Sequence, residues 1–367
     1  MVTNWRRVEE ILNHGLDDGV YTAAVILAGR DAELKYAAAV GRLSIAPGSP
    51  ATTLDTIFDL ASLTKPLATT LALMVLVQQR QLDLMVTLGD ILTGAWLPED
   101  KRILPLSALL THRSGLPAWR PFYEKVLTIP PAARANALER LAAFEPLEHT
   151  PGPLTIYSDL GFMLLKAVVE TVAGAPLEIF CRRQIYEVLD LPTLGFKPRQ
   201  TSWGKEKAYA ATEVGLIPGR SVQGEVHDEN AWSAGGVAGH AGLFGTGPDV
   251  WRLAVHLYLA WQGRGSDFFD PEVVRTFFTP PPGSPRALGF DLPAPREASC
   301  GRYFSPQSVG HLGFTGVSGW IDPVQGQIVV LLTNRVHLGR YNEKIKQFRP
   351  QLHDAVCQSL GLIRPYR

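Results

Sequence analysis

Charged side chains are few in this sequence, and neither sign is in excess. Of its 367 residues, 19% are Asp, Glu, Lys or Arg, and 35 basic residues balance 35 acidic ones. The lack of net positive charge argues against nucleic acid and anionic membranes as partners. A chain of this length buries a core large enough to fold without disulfides or metals. We therefore expect a folded protein that binds a small molecule, and composition leaves its oligomeric state open.

Cysteines and long apolar runs are also lacking. Cys181, Cys300 and Cys357 lie far apart with no C-x-x-C spacing, which predicts neither a zinc site nor a disulfide framework. The run from Leu71 to Val77 is too short for a membrane span, and the first twenty residues lack the apolar core of a signal peptide. From these absences we expect a cytoplasmic protein that requires no metal ion or other cofactor.

Glycine and proline, by contrast, are abundant, with 34 and 28 residues, and they divide the chain into segments of different pattern. Residues 22–28 and 34–40 are β-like runs separated by turn residues, which predicts a hairpin, and Ile328 to Leu332 predicts a central strand. Helical periodicity is strongest in between. We expect helices at 67–79, 132–144 and 160–172, and a last helix that begins at Pro350.

Strands at both ends of the chain with helices between them favour an α+β fold. We expect residues 1–70 and 235–367 to form an α/β region with an antiparallel sheet flanked by helices. Residues 71–234 would then form an inserted, mainly helical region with loops that border a cleft.

A nucleophile is predicted at the start of the first of these helices. The α/β-hydrolase pattern G-x-S-x-G is absent, but Ser62 and Lys65 form an S-x-x-K sequence directly after a β-like run. Three residues apart on a helix, the two side chains share one face. Pro66 indicates that the helix begins near Ser62, where free backbone N–H groups can face a developing oxyanion. An amine beside a serine is able to accept the hydroxyl proton.

A simpler interpretation of these residues also exists. S-x-x-K is expected about once by chance in a chain of this length, and Ser202 to Lys205 is a second match, in a loop. Ser62 would then be a helix cap and Lys65 a solvated lysine. Two further segments bear on the choice: Tyr157-Ser158-Asp159 at the entrance of a helix, and His311-Leu312-Gly313-Phe314 before a strand pair.

With these segments in this order, the sequence resembles the serine hydrolases of the class C β-lactamase and penicillin-binding-protein-like superfamily. That superfamily includes D-Ala-D-Ala carboxypeptidases, D-aminopeptidases and β-lactamase-like esterases, and its motifs are S-x-x-K, Y-x-N and K-T-G or H-x-G. Further matching segments are residues 58–66, 109–116, 239–244 and 310–323, so the resemblance spans nearly the whole chain. It implies a β-lactamase/transpeptidase-like fold and no cofactor.

The resemblance also implies a role for each matching residue. Ser62 would be the acylated nucleophile, Lys65 its proton partner, and Tyr157 a second base that passes a proton to the leaving group. The backbone N–H groups of Ser62 and Phe314 would form the oxyanion hole. Gly313 would let the substrate lie close against the strand.

Three departures from the motifs bear on the substrate. Asp159 replaces an asparagine, and its carboxylate would pair with Lys65, raise the pKa of the lysine and favour Tyr157 as the working base. His311 and Leu312 replace a cation and a hydroxyl that would receive a substrate carboxylate. We therefore predict hydrolysis of small neutral esters or amides through an acyl-enzyme.

Two other functions stay open at this stage. One is a β-lactamase or D-amino-acid-specific peptidase, including a DD-carboxypeptidase, that acts on cell-wall fragments. The other is a binding or sensory protein of the same fold without turnover. Residues 225–229 and His240 form a cluster of acidic and histidine side chains whose spacing matches no common metal site, and His112 is expected to brace a helix end.

Overall fold

The computed structural model describes residues 5–94, 96–134, 136–217, 220–265 and 268–366. Its α-helices are α1 (Arg6–Asp17), α2 (Leu71–Gln78), α3 (Leu88–Ile91), α4 (Glu99–Arg102), α5 (Leu106–Leu110), α6 (Phe122–Val126), α7 (Ala137–Phe144), α8 (Asp159–Ala173), α9 (Leu177–Cys181), α10 (Glu229–Ser233), α11 (Gly247–Trp261), α12 (Pro271–Phe278) and α13 (Ile345–Ser359). Shorter 3₁₀ or π turns are Ala61–Leu63, Lys65–Thr70, Pro131–Ala133, Arg182–Tyr186, Pro198–Gln200 and Arg335–Leu338. The strands are β1 (Ala23–Arg30), β2 (Glu33–Gly41), β3 (Phe58–Asp59), β4 (Gly195–Phe196), β5 (Ala211–Ile217), β6 (Arg220–Gln223), β7 (Leu243–Gly245), β8 (Val309–Leu312), β9 (Ser318–Ile321) and β10 (Gln327–Thr333).

The sheet that organises the fold joins the two ends of the chain. Among the described residues it contains five antiparallel strands in the order β2-β1-β10-β9-β8. Strand β1 pairs with β10 from Ala24 opposite Thr333 to Arg30 opposite Gln327. The predicted α+β class is therefore confirmed, and the run from Ile328 to Leu332 is a central strand.

The central strand β10 is buried on both faces because helices cover each side of the sheet. Successive strand residues point to opposite faces. Val329 and Leu331 pack in a core with α1 and α13, whereas Val330 and Leu332 pack in a second core with α11 and the helical region. A strand covered on both faces requires a continuous apolar run, which β10 has.

The helical region packs around α2 and α8. The helical turns from Ala61 to Gln78 have the length and hydropathy of a membrane-spanning helix, but 83% of this segment is buried inside the protein. Packing in the core accounts for its apolar character. One core contains Leu71 of α2, Phe162 of α8 and Val330 of β10, so the inserted region and the sheet share it.

A small sheet beside this core links the two regions. Its strand order is β3-β7-β4, with Phe58 opposite Gly245 and Gly195 opposite Phe244. Strand β4 comes from the stretch predicted to be mainly helical, residues 71–234. Strand β7 pairs with β3, the strand before Ser62, on one edge and with β4 on the other. Pairing with β4 satisfies the backbone N–H and C=O groups on that second edge of β7. Residues 71–234 therefore also contribute a strand to this sheet.

The last helix begins earlier than the sequence predicted. Helix α13 starts at Ile345, and Pro350 lies inside it rather than in its first turn. Ile345 and Phe348 are buried, and the Phe348 ring stands edge-on to Tyr21 with 5.4 Å between ring centroids. Burial of two such side chains contributes about 3–6 kcal/mol, which offsets the roughly 3 kcal/mol that proline costs in a helix interior.

Asn334, directly after β10, ties three segments together. Its Oδ1 accepts hydrogen bonds from the backbone N–H groups of Thr22 at 3.1 Å and Ala23 at 2.8 Å. Its Nδ2 donates to the carbonyl of Ala211 at 3.0 Å. The side chain is almost completely buried, so solvent does not replace these partners.

We predict that Asn334→Ala lowers the free energy of unfolding by about 2–4 kcal/mol, because a buried and a partly buried backbone N–H group lose their acceptor. Urea unfolding followed by circular dichroism measures the change. Asn13→Ala, at an exposed position of α1, is the control and should stay within about 0.5 kcal/mol of the parent. Equal losses in the two variants would contradict the prediction.

Candidate active site

Ser62 lies at a strained turn directly after β3. Ala61 adopts a left-handed conformation with φ of 46°, which costs a residue other than glycine about 1–3 kcal/mol. The buried carboxylate of Asp59 holds this turn by accepting hydrogen bonds from the N–H groups of Ala61 at 2.8 Å and His227 at 2.7 Å. Burial raises the pKa of Asp59 to about 6. The turn presents Ser62 to a cavity and leads into the helical segment that carries Lys65.

The buried ammonium of Lys65 connects the predicted motifs. Its Nζ donates to Ser62 Oγ at 3.0 Å and to the carbonyl of His240 at 3.3 Å, and it lies 2.6 Å from Asp159 Oδ1. The ring centroid of Tyr157 lies 4.7 Å from Nζ, and Lys65 and Ser62 both act to lower the pKa of its phenol. The structure thus brings Ser62, Lys65, Tyr157 and Asp159 together.

The charges at this centre follow from burial and from these contacts. Burial on its own lowers the pKa of Lys65, but Asp159 and Tyr157 outweigh it and raise that pKa above its usual value. Burial also raises the pKa of Tyr157, and the nearby Lys65 opposes this only in part. At neutral pH the resting site therefore holds a lysine ammonium and a neutral phenol.

Asp228 provides a second carboxylate beside Asp159. Its Oδ1 lies 2.9 Å from Nε2 of His240 and caps α10 by accepting the N–H of Ala231 at 2.7 Å. Burial alone raises the pKa of Asp228, but His240 and the helix N–H lower it to about 2. Ligand atoms of Asp159, Asp228 and His240 lie within 4.8 Å of one another, a spacing that a metal ion would tolerate. The ammonium of Lys65 already pairs with Asp159 of this cluster. The protein's own lysine thus provides a positive charge beside these carboxylates.

His311, Leu312, Gly313 and Phe314 lie at the end of β8 and in the turn after it. His311 is buried with Nδ1 2.7 Å from the Leu312 carbonyl oxygen, and burial lowers its pKa well below the usual value, so the ring is neutral. Leu312 and Phe314 face the cavity. A side chain at Gly313 would collide with Val317 at 2.3 Å. The protein's own packing therefore requires this glycine, which also lines the cavity where the sequence predicts that the substrate lies close to it.

A cavity of about 520 Å³ opens over Ser62 and Tyr157. Its apolar wall includes the half-exposed rings of Trp119 and Phe314. The charged side chains in its wall, among the described residues, are Asp159, Asp228, Glu229 and Arg340. Carboxylates therefore outnumber cations on the surface of this cavity.

Arg286 is a residue of this site that the motifs did not reveal. Its guanidinium carbon lies 5.4 Å from the ring centroid of Tyr157, and the guanidinium is paired with Asp291. The sequence predicted that the third motif had lost its positive charge, but Arg286 brings a cation close to His311. No local signal marks this arginine, because it follows a proline-rich segment far from the other motifs.

His112 braces the end of α5, as expected, and also contacts the site. Its Nδ1 accepts the N–H of Ser158 at 2.9 Å, and its ring centroid lies 4.5 Å from that of Tyr157. Burial, together with the charges of Arg286 and Lys65, lowers the pKa of His112 well below the usual value. A neutral His112 therefore holds the segment that carries Tyr157.

The second S-x-x-K sequence lies away from this centre. Ser202 and Lys205 are exposed in a turn and, among the described residues, do not line the cavity over Ser62. The other acidic and histidine side chains considered from the sequence are also paired: Nε2 of His227 lies 2.8 Å from Glu213 Oε2, and Glu229 binds Arg340 at 2.7 Å.

Known proteins match this chain over most of its length. A family model described as Beta-lactamase matches residues 8–352. The chain is 33% identical to an N-acetylmuramyl-L-alanine amidase of Bacillus subtilis (strain 168), over 90% of this chain and 81% of that protein. It is also 33% identical to a putative D-alanyl-D-alanine carboxypeptidase of Escherichia coli O157:H7, over 87% and 80%. Among solved structures, EstCE1, described as a hydrolase with promiscuous acyltransferase activity, aligns with a TM-score of 0.73 at 21% identity, over 96% of this chain and 97% of that chain.

Proposed function

The chain belongs to the beta-lactamase family, and on that premise we propose that it is a serine hydrolase that forms an acyl-enzyme at Ser62. The observation that carries the proposal is the contact of the buried Lys65 ammonium with Ser62 Oγ and Asp159, beside a cavity of substrate size. The family and the curated relatives support hydrolysis. The identity of the nucleophile, the identity of the base and the substrate class are what we propose beyond hydrolysis.

Acylation uses Tyr157 as the base. The phenol first loses its proton to water in the cavity, and the adjacent Lys65 ammonium stabilises the phenolate. Ser62 Oγ then attacks the substrate carbonyl carbon while its proton passes to the phenolate. When the tetrahedral intermediate collapses, the acyl group stays on Ser62 and Tyr157 returns the proton to the leaving alcohol or amine.

Deacylation runs through the same groups in reverse. Tyr157, again a phenolate, accepts a proton from a water molecule that attacks the acyl carbon. The second tetrahedral intermediate releases the carboxylic acid, and Ser62 Oγ regains the proton from Tyr157. The steps balance with water as the only co-reactant.

Two backbone N–H groups are proposed to bind the oxyanion. Ser62 lies in the first turn of a helical segment, where N–H groups lack an intrahelical acceptor. The N–H of Phe314 has no acceptor among the described residues. In the same turn, Thr315 Oγ1 donates to the carbonyl of Asp59 at 2.9 Å, so the segments that carry the two N–H groups are bonded to each other. Fixed donors of this kind stabilise the tetrahedral intermediate.

Small neutral esters or amides are the substrate class we propose. In the cavity wall Asp159 pairs with Lys65 and Glu229 with Arg340, whereas Asp228 pairs with His240 and, among the described residues, with no Lys or Arg. The charge of Asp228 would repel a substrate carboxylate. The neutral ring of His311 supplies no charge to attract one, and Arg286 is already paired with its own carboxylate.

A second candidate is a β-lactamase or a D-amino-acid-specific peptidase, including a DD-carboxypeptidase, acting on cell-wall fragments. The curated relatives named as an amidase and a putative D-alanyl-D-alanine carboxypeptidase favour it. So does Arg286, which would bind a substrate carboxylate near Tyr157 if that carboxylate displaced Asp291. A binding or sensory protein without turnover is the third.

We predict that a fluorophosphonate probe labels wild-type protein on one serine, Ser62, and that an acyl group from p-nitrophenyl acetate does not persist there. Intact-protein mass spectrometry before and after a chase measures both. Ser62→Ala should abolish labelling, whereas Ser202→Ala should leave it unchanged because that serine lies in an exposed turn. A wild type that takes up no label supports the binding protein, and an acyl adduct that survives the chase supports a sensor.

We also predict that kcat/KM for p-nitrophenyl butyrate exceeds the values for nitrocefin and for a peptide ending in D-Ala-D-Ala. The latter two carry a carboxylate that the charge of Asp228 in the cavity wall repels. Initial rates for the three compounds, each corrected with Ser62→Ala, give the comparison. A higher value for nitrocefin or for the peptide would favour the second candidate.

The charge of Asp159 leads to a prediction about pH. This carboxylate raises the pKa values of both Lys65 and Tyr157, so its removal lowers both. In Asp159→Asn the rise of kcat/KM with pH should therefore move to lower pH, by on the order of one unit. Rates with p-nitrophenyl butyrate from about pH 6 to 10, corrected for spontaneous hydrolysis, measure the shift. Asp18→Asn, at an exposed position, should leave the profile in place, and a move to higher pH in Asp159→Asn would refute the assignment of the base.

A further inference from the structure

Two arginines outside the predicted motifs converge on the turn of residues 313–317. Arg335 follows β10 and Arg349 lies in α13, and the two side chains are 8% and 4% exposed. Nε of Arg335 donates to the carbonyl of Phe314 at 2.9 Å, and Nη2 of Arg349 donates to the carbonyl of Gly316 at 3.1 Å. The turn that carries one proposed oxyanion donor is therefore held by two guanidinium groups.

Arg335 makes further contacts on the same side of the cavity. Its Nη1 donates to the carbonyls of Arg340 at 3.0 Å and Asn342 at 2.7 Å. Its guanidinium carbon lies 4.6 Å from the ring centroid of Phe314. Arg340 in turn binds Glu229 of the cavity wall. One side chain thus connects the turn, its aromatic ring and the neighbouring wall.

No carboxylate among the described residues pairs directly with Arg335, although the charges of Glu343 and Glu213 act on it from further away. Among the described residues neither Arg335 nor Arg349 has a carboxylate within 4 Å, and the acceptors of both are backbone carbonyls. A buried cation without a paired anion is expensive, and an apolar side chain of similar volume is often the more stable choice. Stability alone therefore does not explain why a guanidinium stands behind this turn.

We propose that Arg335 is a positioning residue for the oxyanion hole, an inference that rests on the proposed function. By binding the Phe314 carbonyl and supporting its ring, Arg335 holds the turn so that the N–H of Phe314 points at the reacting carbonyl oxygen. Its positive charge behind the turn also favours the negative charge that develops on this oxygen. Both effects are larger in the tetrahedral intermediate than in the bound substrate, so they act mainly on kcat.

The test compares Arg335→Met, which removes charge and hydrogen bonds, with Arg335→Lys, which keeps the charge. We expect Arg335→Met to lower kcat for p-nitrophenyl butyrate roughly 10²-fold, with a much smaller change in KM. The affinity for an alkylboronic acid, which forms a tetrahedral adduct with a serine, should fall in parallel with kcat. Arg335→Lys should lie between the parent and Arg335→Met, and it also serves if Arg335→Met does not fold.

Arg134→Met is the matched control. Arg134 also donates to two backbone carbonyls, those of Ile129 at 2.8 Å and Leu127 at 3.0 Å, but in the helical region. Arg134→Met should keep kcat within about twofold of the parent. We expect thermal melting of this variant to show a loss of stability.

The outcomes separate the two proposals. Equal falls in kcat for Arg134→Met and Arg335→Met, or a folded Arg335→Met with unchanged kcat and boronate affinity, overturn the role of Arg335 alone. A wild type with no turnover and no boronate binding overturns the proposed function and this inference together. A selective fall in kcat and boronate affinity, with partial recovery in Arg335→Lys, supports the inference.

Discussion

The rest of the site depends on one interaction, the burial of the Lys65 ammonium against the hydroxyl of Ser62. A cation that is fully removed from water needs charged and polar partners around it. Asp159 supplies the opposite charge, Tyr157 a phenol and His240 a carbonyl oxygen. These partners come from two segments far from Lys65 along the chain, residues 157–159 and the segment of His240, so the fold must bring both to one point.

The two sheets achieve this convergence. Strand β3 leads into the turn before Ser62 and pairs with β7. Strand β7 directly follows the segment that carries His240. The five-stranded sheet places β8, and with it the turn of Phe314, beside the same turn, where Thr315 bonds to the carbonyl of Asp59. The strained backbone of Ala61 is held because Asp59 binds it from a buried position. Contacts between segments that are distant in the chain thus stabilise the strained backbone conformation beside the nucleophile.

Much of this arrangement is predictable from the sequence, and what is not predictable has a common cause. The spacing of Ser62 and Lys65 places them on one face of a helix, and the resemblance to a known superfamily adds Tyr157 and Phe314. Arg286 and Arg335 escape prediction because their contacts with Tyr157 and Phe314 join different segments of the chain. The predicted helix start at Pro350 is wrong because burial of Ile345 and Phe348 outweighs the preference of proline for the first turn of a helix.

The sequence by itself determined the α+β class, the central strand of the sheet and the order of the motifs, because these depend on the periodicity and spacing of nearby residues. Only the tertiary structure decided the charges of the site. Whether Lys65 is an ammonium and His311 a neutral ring depends on burial and on distances to other charges. Tertiary packing also adds a constraint on Gly313, which lines the cavity and whose missing side chain makes room for Val317. Electrostatic and packing energies are functions of distance in space, and separation along the chain does not specify that distance.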